Sequence, residues 1–327
     1  MWQRIPMRTF LTETWALRVP IIGAPMSPMA GGHLAAALSR CGALGMIGVA
    51  SGQPVARLLA DVEDFRSQAA GRPLGIGLMT WAVAARPELL DAAVAAKPFA
   101  IALSFGDPTP YAARVRSAGI ELVCQVQDLE GARLAEAAGA TLLAAQGTEA
   151  GGHTGGVGTL PLLQLVLDAV RVPVVAAGGI ATGRGLAAVL AAGAQGAWIG
   201  TPFLVADEAR NSAEARTRLL AAKETATVLT SVFDIGQGIA WPAEFRGRAL
   251  RNAFTERWVG HEAELAHDSA ARDELLRAVG AQDPDTAPTY AGQTVGLLAQ
   301  VESAAAILQR IEQDAERHLR GVARILS

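Results

Sequence analysis

Eight short apolar runs recur between Arg18 and Gly200, seven of them separated by one helical pattern each, at a spacing of about 25 residues. They are Arg18–Met26, Ala43–Gly48, Pro73–Leu78, Ala100–Phe105, Ile120–Val126, Thr141–Ala145, Val172–Ala177 and Gly196–Gly200. Between Pro54 and about Ala69, Val55, Leu58, Leu59, Val62 and Phe65 fall at i, i+3 and i+4, which predicts an amphipathic helix. Further helices are expected over Gly32–Arg40, Pro87–Ala96, Pro110–Ala118, Leu129–Ala138, Leu160–Val170 and Arg184–Ala192. No hairpin signal interrupts the series, so the strands must run parallel with helical crossovers. That leaves an open doubly wound sheet or a closed (β/α)8 barrel. A count of eight favours the TIM barrel. The open sheet usually carries GxGxxG after its first strand, and Gly23-Ala24-Pro25-Met26 is not that motif.

Beyond Gly200 the period breaks. From about Asn211 to Thr286 the chain is more charged and helical in pattern, with Thr227–Phe233 its one strand-like stretch. Trp241 and Trp258 fall here and read as packing residues. The segment reads as a mainly helical cap inserted after strand eight. From Tyr290 a turn, Ala291-Gly292-Gln293, leads into an amphipathic helix expected from Leu297 to about Leu326, returning to the barrel wall. The expected division is a barrel over residues 1–210, a cap over 211–286 and a returning C-terminal helix in 287–327.

Composition narrows the function classes. Of the 327 residues 51% are hydrophobic and 5% aromatic, which suits closely packed strands and helices and argues against disorder. A net charge of −3 provides no basic patch for nucleic acid and no polybasic membrane signal. No apolar run approaches the ~18 residues of a spanning helix, and Met1–Pro6 has no apolar segment of a secretion signal. Cys41 and Cys124 lie far apart and form no CxxC or metal pattern, so a reducing cytoplasm is the expected setting.

The most informative local stretch follows strand six: Gln146-Gly147-Thr148-Glu149-Ala150-Gly151-Gly152-His153-Thr154-Gly155-Gly156. Its glycines let backbone N–H groups approach a bound group with no Cβ in the way. His153 is the one side chain there of a type that gains or loses a proton near neutrality. The loop therefore reads as lying beside a cofactor's reactive ring, with His153 handling a substrate proton. Glu149 either supplies a second acid–base group or orients the loop through backbone N–H groups. Val174–Gly183 and Ala197–Pro202 end strands seven and eight, where barrels of this type commonly hold a phosphate on backbone N–H groups and a helix N-terminus. Gly178-Gly179 allow close approach, and Gly200-Thr201 add N–H donors and a hydroxyl; plain strand-to-helix turns are the competing reading. Gln125 and Gln146 end strands five and six, where their amides either meet a heterocycle edge or ribityl chain or bond within the barrel. His33 reads as a helix-start residue. His261, His267 and His318 read as helix-surface positions without metal spacing, so no metal is expected.

Together, Gly23-Ala24-Pro25-Met26, the run from Gln146 to His153, Ala177-Gly178-Gly179-Ile180 and Ile199-Gly200-Thr201 resemble the nitronate monooxygenase family. These enzymes were formerly called 2-nitropropane dioxygenases, and the family includes FMN-dependent NADH:quinone reductases and flavin enoyl-ACP reductases. The motifs run from residue 20 to about 205, and Ala291-Gly292-Gln293 resembles the family's C-terminal turn. The resemblance implies FMN in the barrel mouth, with Pro25, Met26 and Ser27 along the isoalloxazine. It places Met79, Gln125, Gln146 and Gly151 at the ring and ribityl chain, and Ala177, Gly178, Gly179, Gly200 and Thr201 at the phosphate. His153 takes the family's catalytic-base position. Gly77 stands where the family's third strand often ends in an Asn touching the flavin.

The implied activity is oxidation of nitroalkanes or alkyl nitronates by O2 to a carbonyl compound and nitrite, with His153 removing the α-proton. One alternative is an FMN-dependent NAD(P)H reductase of a quinone or enoyl thioester, with His153 as proton donor. Another is a barrel that binds phosphorylated metabolites without redox chemistry. The expected partners are O2 and a small molecule, a nitroalkane, nitronate or other small electrophile, with no nucleic acid and no membrane. A homodimer is allowed, not required.

Overall fold

The computed structural model describes residues 7–323; the reading of Met1–Pro6 and the expected helix end near Leu326 lie outside them. The strands among the described residues are β1 (Ile21–Gly23), β2 (Gly45–Gly48), β3 (Leu74–Met79), β4 (Ala100–Ser104), β5 (Glu121–Val126), β6 (Leu142–Gln146), β7 (Gly152–Thr154), β8 (Val174–Ala177), β9 (Ala197–Ile199), β10 (Thr227–Thr230) and β11 (Arg246–Leu250). Eight of them form one sheet in the order β1-β9-β8-β6-β5-β4-β3-β2, and each of its ladders is parallel. A parallel bridge between Ile22 and Leu44, with the Gly23 N–H donating to Leu44 O at 2.8 Å, joins β1 to the segment entering β2. The sheet closes on itself, and the (β/α)8 barrel expected from the period is the observed fold.

The strands read as unbroken apolar runs because they are covered on both faces. Outside, Leu34, Leu38, Leu58, Val62 and Phe65 of the helices pack on Ile47, Ile76, Ile101 and Leu143. Inside, Ile22, Met46, Val123, Leu142, Val175 and Trp198 pack with the small Ala100, Ala102, Ala144 and Ala177. At the base, the helix Phe10–Glu13 and the turn after it insert Leu11, Trp15 and Leu17, with Trp15 edge-on to Phe99 at 5.2 Å. Toward the other end the strands carry Gly77, Ser104, Gln125, Gln146 and Ala177, which line a cavity instead of filling it. A plugged base and a lightly filled top put the open space at the C-terminal face, where barrel enzymes carry their sites.

Several local features differ from the sequence expectation. The connection from β3 to β4 holds two helices, Thr80–Ala85 and Glu88–Ala95, where one was expected. The strand read over Thr227–Phe233 stops at Thr230, and Val232–Gln237 is a helix closed by Gly238 in the left-handed region at φ +67°. β10, β11 and β7 form a separate antiparallel sheet, so a ribbon from residues 227–250 pairs with the glycine-rich loop; Gly247 lies opposite His153. The C-terminal helix spans Ala304–Ala323, seven residues later than its expected start (304 − 297). Ser303 sets that start: its Oγ accepts from the Ala306 N–H at 3.2 Å, while Glu208 accepts from the Ala304 N–H at 2.8 Å. Among the described residues no helix is long and apolar enough to cross a membrane. Cys124 is buried in β5, and burial pushes its thiol up to about 12, which makes it unreactive.

Candidate active site

The top of the barrel and the segment after β9 enclose a cavity of about 470 Å³, within the ~300–1,000 Å³ range of small-molecule and cofactor sites. Every site residue expected from the sequence lines it: Pro25, Met26, Ser27, Met79, Gln125, Gln146, Gly151, His153, Ala177, Gly178, Gly179, Gly200 and Thr201. His33 does not; its Nδ1 lies 2.7 Å from Gln68 Nε2 on the outer helices.

Interlocking turns build the loop from 146 to 156. A Cβ on Gly151 would lie 2.5 Å from Gly292 N, and one on Gly292 would lie 2.6 Å from Glu149 O. The Gly292 N–H donates to Thr201 Oγ1 at 2.9 Å and the Gln293 N–H to Glu149 O at 3.0 Å, tying the loop to the end of β9 and to the turn at 291–293. The Glu149 carboxylate accepts from the Thr159 N–H at 2.8 Å and from its hydroxyl at 2.9 Å, which caps the helix Thr159–Ala169 and orients the loop. Arg248 of β11 donates from Nε to Thr148 O at 2.8 Å; burial lowers its pKa, and the charge of Glu149 partly offsets that.

Gly178 and Gly179 both adopt positive φ, +95° and +70°. A Cβ on Gly178 would come within 2.9 Å of Gly147 O, so that glycine is required by packing against the loop. Around Gly179 the nearest atom is Glu149 Cβ at 3.6 Å, an ordinary van der Waals contact, and the residue lines the cavity. On the opposite wall, Gly77 is required by Pro25: a Cβ there would sit 2.4 Å from Pro25 Cγ. The proline ring occupies the place a side chain at 77 would take, which excludes an Asn without movement of Pro25. Ser27 Oγ is buried with no hydrogen-bond partner.

The two glutamines differ. Gln146 is engaged on both sides of its amide, accepting from Gln127 Nε2 at 2.9 Å and donating to His153 O at 3.0 Å. Gln125 accepts from Ser104 Oγ at 2.9 Å, and its Nε2 has no partner among the described residues.

His153 sits on β7, 8% exposed, with Nε2 3.0 Å from both Oδ1 and Oδ2 of Asp234. Trp241 stacks face to face on the imidazole, centroids 3.5 Å apart and planes within 7°. Tyr290 lies beyond at 5.6 Å, its hydroxyl held protonated by burial and by the charge of Asp234. Edge contacts of Trp241 with Trp81 (4.9 Å) and Phe105 (5.0 Å) extend this aromatic wall. The sequence assigns Asp234 and Trp241 to the cap stretch that shapes the substrate space, with Trp241 also read as packing, and gives neither Asp234 nor Tyr290 a catalytic role. A signal existed for Asp234: a lone carboxylate inside the apolar run Val232-Phe233-Asp234-Ile235 must find a partner when buried. Among the described residues no group of three or more His, Cys, Asp and Glu side chains is placed to hold a metal ion.

This is a site in which backbone and amide groups surround one end of a cavity and an imidazole–carboxylate pair stands at the other. The sequence pattern of the family described as nitronate monooxygenase matches residues 86–314. A nitronate monooxygenase of the fungus Metarhizium robertsii, npaC, is 33% identical, with 94% of each chain covered. The chain spans between 61% and 97% of the length of the first three curated relatives it matches. Among solved structures, FabK from Thermotoga maritima superposes with a TM-score of 0.85 at 28% identity, covering 98% of this chain and 99% of that one. A nitroalkane oxidase from Streptomyces ansochromogenes superposes with a TM-score of 0.81 at 26% identity, covering 95% and 99%.

Proposed function

Because the chain belongs to the nitronate monooxygenase family and is an oxidoreductase, we propose that it oxidises nitroalkanes or their nitronates with O2 to a carbonyl compound and nitrite, using FMN and with His153 as the base for the α-proton. The observation that carries this reading is the single cavity shared by His153 and the glycines ending β8 and β9. The residues present fit FMN. The cavity lined by Gly179, the unpartnered Ser27 Oγ and the Gln125 Nε2 without a partner are features that a phosphate, a ribityl chain and a polar ring edge would fill or satisfy. Gly178, Gly179, Gly200 and Thr201 would hold the phosphate; Pro25, Met26, Ser27, Met79, Gln125, Gln146 and Gly151 would flank the ring and ribityl chain. When bound, FMN supplies the electron transfer between the deprotonated substrate and O2.

The chain's own part is to bind, orient and move one proton. The wall of Trp241, Phe105 and Tyr290 keeps water from the substrate's carbon skeleton and holds it against the cofactor face. The imidazole of His153 takes the α-proton of a neutral nitroalkane and passes it to solvent after turnover; a preformed nitronate needs no such step. We take residues 211–286 as the cap that shapes the substrate space.

His153→Asn should lower nitrite release from a neutral nitroalkane by at least about 100-fold, the usual worth of a general base, and leave turnover of the preformed nitronate within a few-fold. Equal loss on both substrates would remove the base role. A second reading, an FMN-dependent NAD(P)H reductase of a quinone or enoyl thioester with His153 as proton donor, draws on the likeness to FabK. Rapid anaerobic bleaching of the flavin by NADH or NADPH, with none by a nitronate, would favour it over the first.

A further inference from the structure

A buried carboxylate that meets one histidine and nothing else decides which nitrogen of that histidine is left for chemistry. Asp234 is 5% exposed, and among the described residues its side chain lies within hydrogen-bonding distance of His153 alone. Both oxygens lie 3.0 Å from Nε2, so the carboxylate straddles that nitrogen. An ionised carboxylate has no proton to give, so the proton on this contact must belong to Nε2. That holds for the charged imidazolium and for the neutral ring alike. The nitrogen whose proton comes and goes is then Nδ1, which has no partner among the described residues while the ring lines the cavity. The other charged groups near the loop are turned elsewhere: Glu149 to Thr159, and Arg248 to Thr148. Tyr290 faces the pair as a neutral hydroxyl, and Trp241 fixes the plane of the ring by stacking.

Resting on the reading of His153 as a base, we propose that Asp234 is its positioning residue: it locks the neutral imidazole in the Nε2–H tautomer and so makes Nδ1 the nitrogen that removes the substrate's α-proton. The two partners come from different parts of the chain. His153 stands on β7, in the loop above the barrel, and Asp234 on the helix Val232–Gln237. The base is therefore complete only when that helix is seated on the loop. An asparagine at 234 keeps the shape but brings an N–H2 group, which can donate to Nε2 and trap the opposite tautomer with its proton on Nδ1. A ring in that form has no lone pair facing the substrate.

The test is nitrogen NMR of the full-length protein carrying 15N-labelled histidine, with the His153 signals assigned by their loss in His153→Asn. In the wild-type protein the neutral ring should show a protonated Nε2 and an unprotonated Nδ1. In Asp234→Asn the pattern should reverse, and in Asp234→Ala the two tautomers should mix. Kinetics should follow: Asp234→Asn loses about 100-fold or more in kcat on a neutral nitroalkane and changes by only a few-fold on the nitronate. A wild-type spectrum with the proton on Nδ1 overturns the proposal, and needs no variant to fold. An Asp234→Asn protein with the wild-type pattern and unchanged nitroalkane turnover overturns it as well. If instead the wild-type protein shows the Nε2–H tautomer but no turnover of any nitroalkane, the positioning stands and the assigned reaction fails.

Discussion

The two ends of the cavity are built on different principles. Around Gly178, Gly179, Gly200 and Thr201 the lining is backbone, held by barrel ladders and by turns that leave no room for a Cβ at 151, 178 and 292. Around His153 it is side chains brought together from distant segments: Asp234 from a short helix, Trp241 from the loop before β11, Tyr290 from the strand-like turn bridged to Ala249. Backbone donors hold one fixed geometry and suit a group that stays bound. Side chains carried on elements outside the barrel suit the group that is exchanged at each turnover. On the proposed function, cofactor retention and substrate choice should therefore be separable by substitution in this molecule.

Gly179→Val attacks the backbone end and should have the largest effect. Its Cβ meets Glu149 Cβ at an ordinary 3.6 Å, so the branched side chain takes up room in the cavity lining, at a position already strained for any non-glycine residue by φ +70°. FMN affinity should fall by about 100-fold or more, about 2.7 kcal/mol, measured by titrating apoprotein with FMN and following fluorescence. Unchanged affinity would break the comparison by moving the phosphate elsewhere. Trp241→Ala attacks the other end and should have the smaller effect. Removing the indole stacked at 3.5 Å frees the imidazole and enlarges the substrate space. A roughly tenfold loss in kcat/KM for small nitroalkanes, about 1.4 kcal/mol, should come with relative gain for longer ones and no change in FMN affinity. If FMN affinity fell as well, the two ends would not be separable.

The same contrast governs what could be read in the sequence. β1–β6, β8 and β9 were legible because each is covered on both faces and must be an apolar run between turn signals. The glycines at 178, 179 and 200 were legible because their places at two neighbouring strand ends follow from that count. β7 was not, since Gly152-His153-Thr154 is three residues long and two of its neighbours are glycine. β11 was hidden by Arg246 and Arg248, whose charges break the apolar pattern although the second is buried and hydrogen-bonded. The helix at Val232–Gln237 looked like the continuation of a strand because Val232 and Phe233 are strand-forming residues; tertiary packing against the helix Ser269–Ala281 overrode that preference. Asp234 and Trp241 reach His153 only through those three unread elements, so no spacing in the chain announces their meeting.

The most direct measurement is a crystal structure of the protein grown with FMN. The phosphate should lie on the backbone N–H groups of Gly179 and Gly200, with the isoalloxazine turned so that Nδ1 of His153 faces the substrate space over it. A phosphate bound away from the ends of β8 and β9, or an imidazole directed away from the flavin, would contradict that placement.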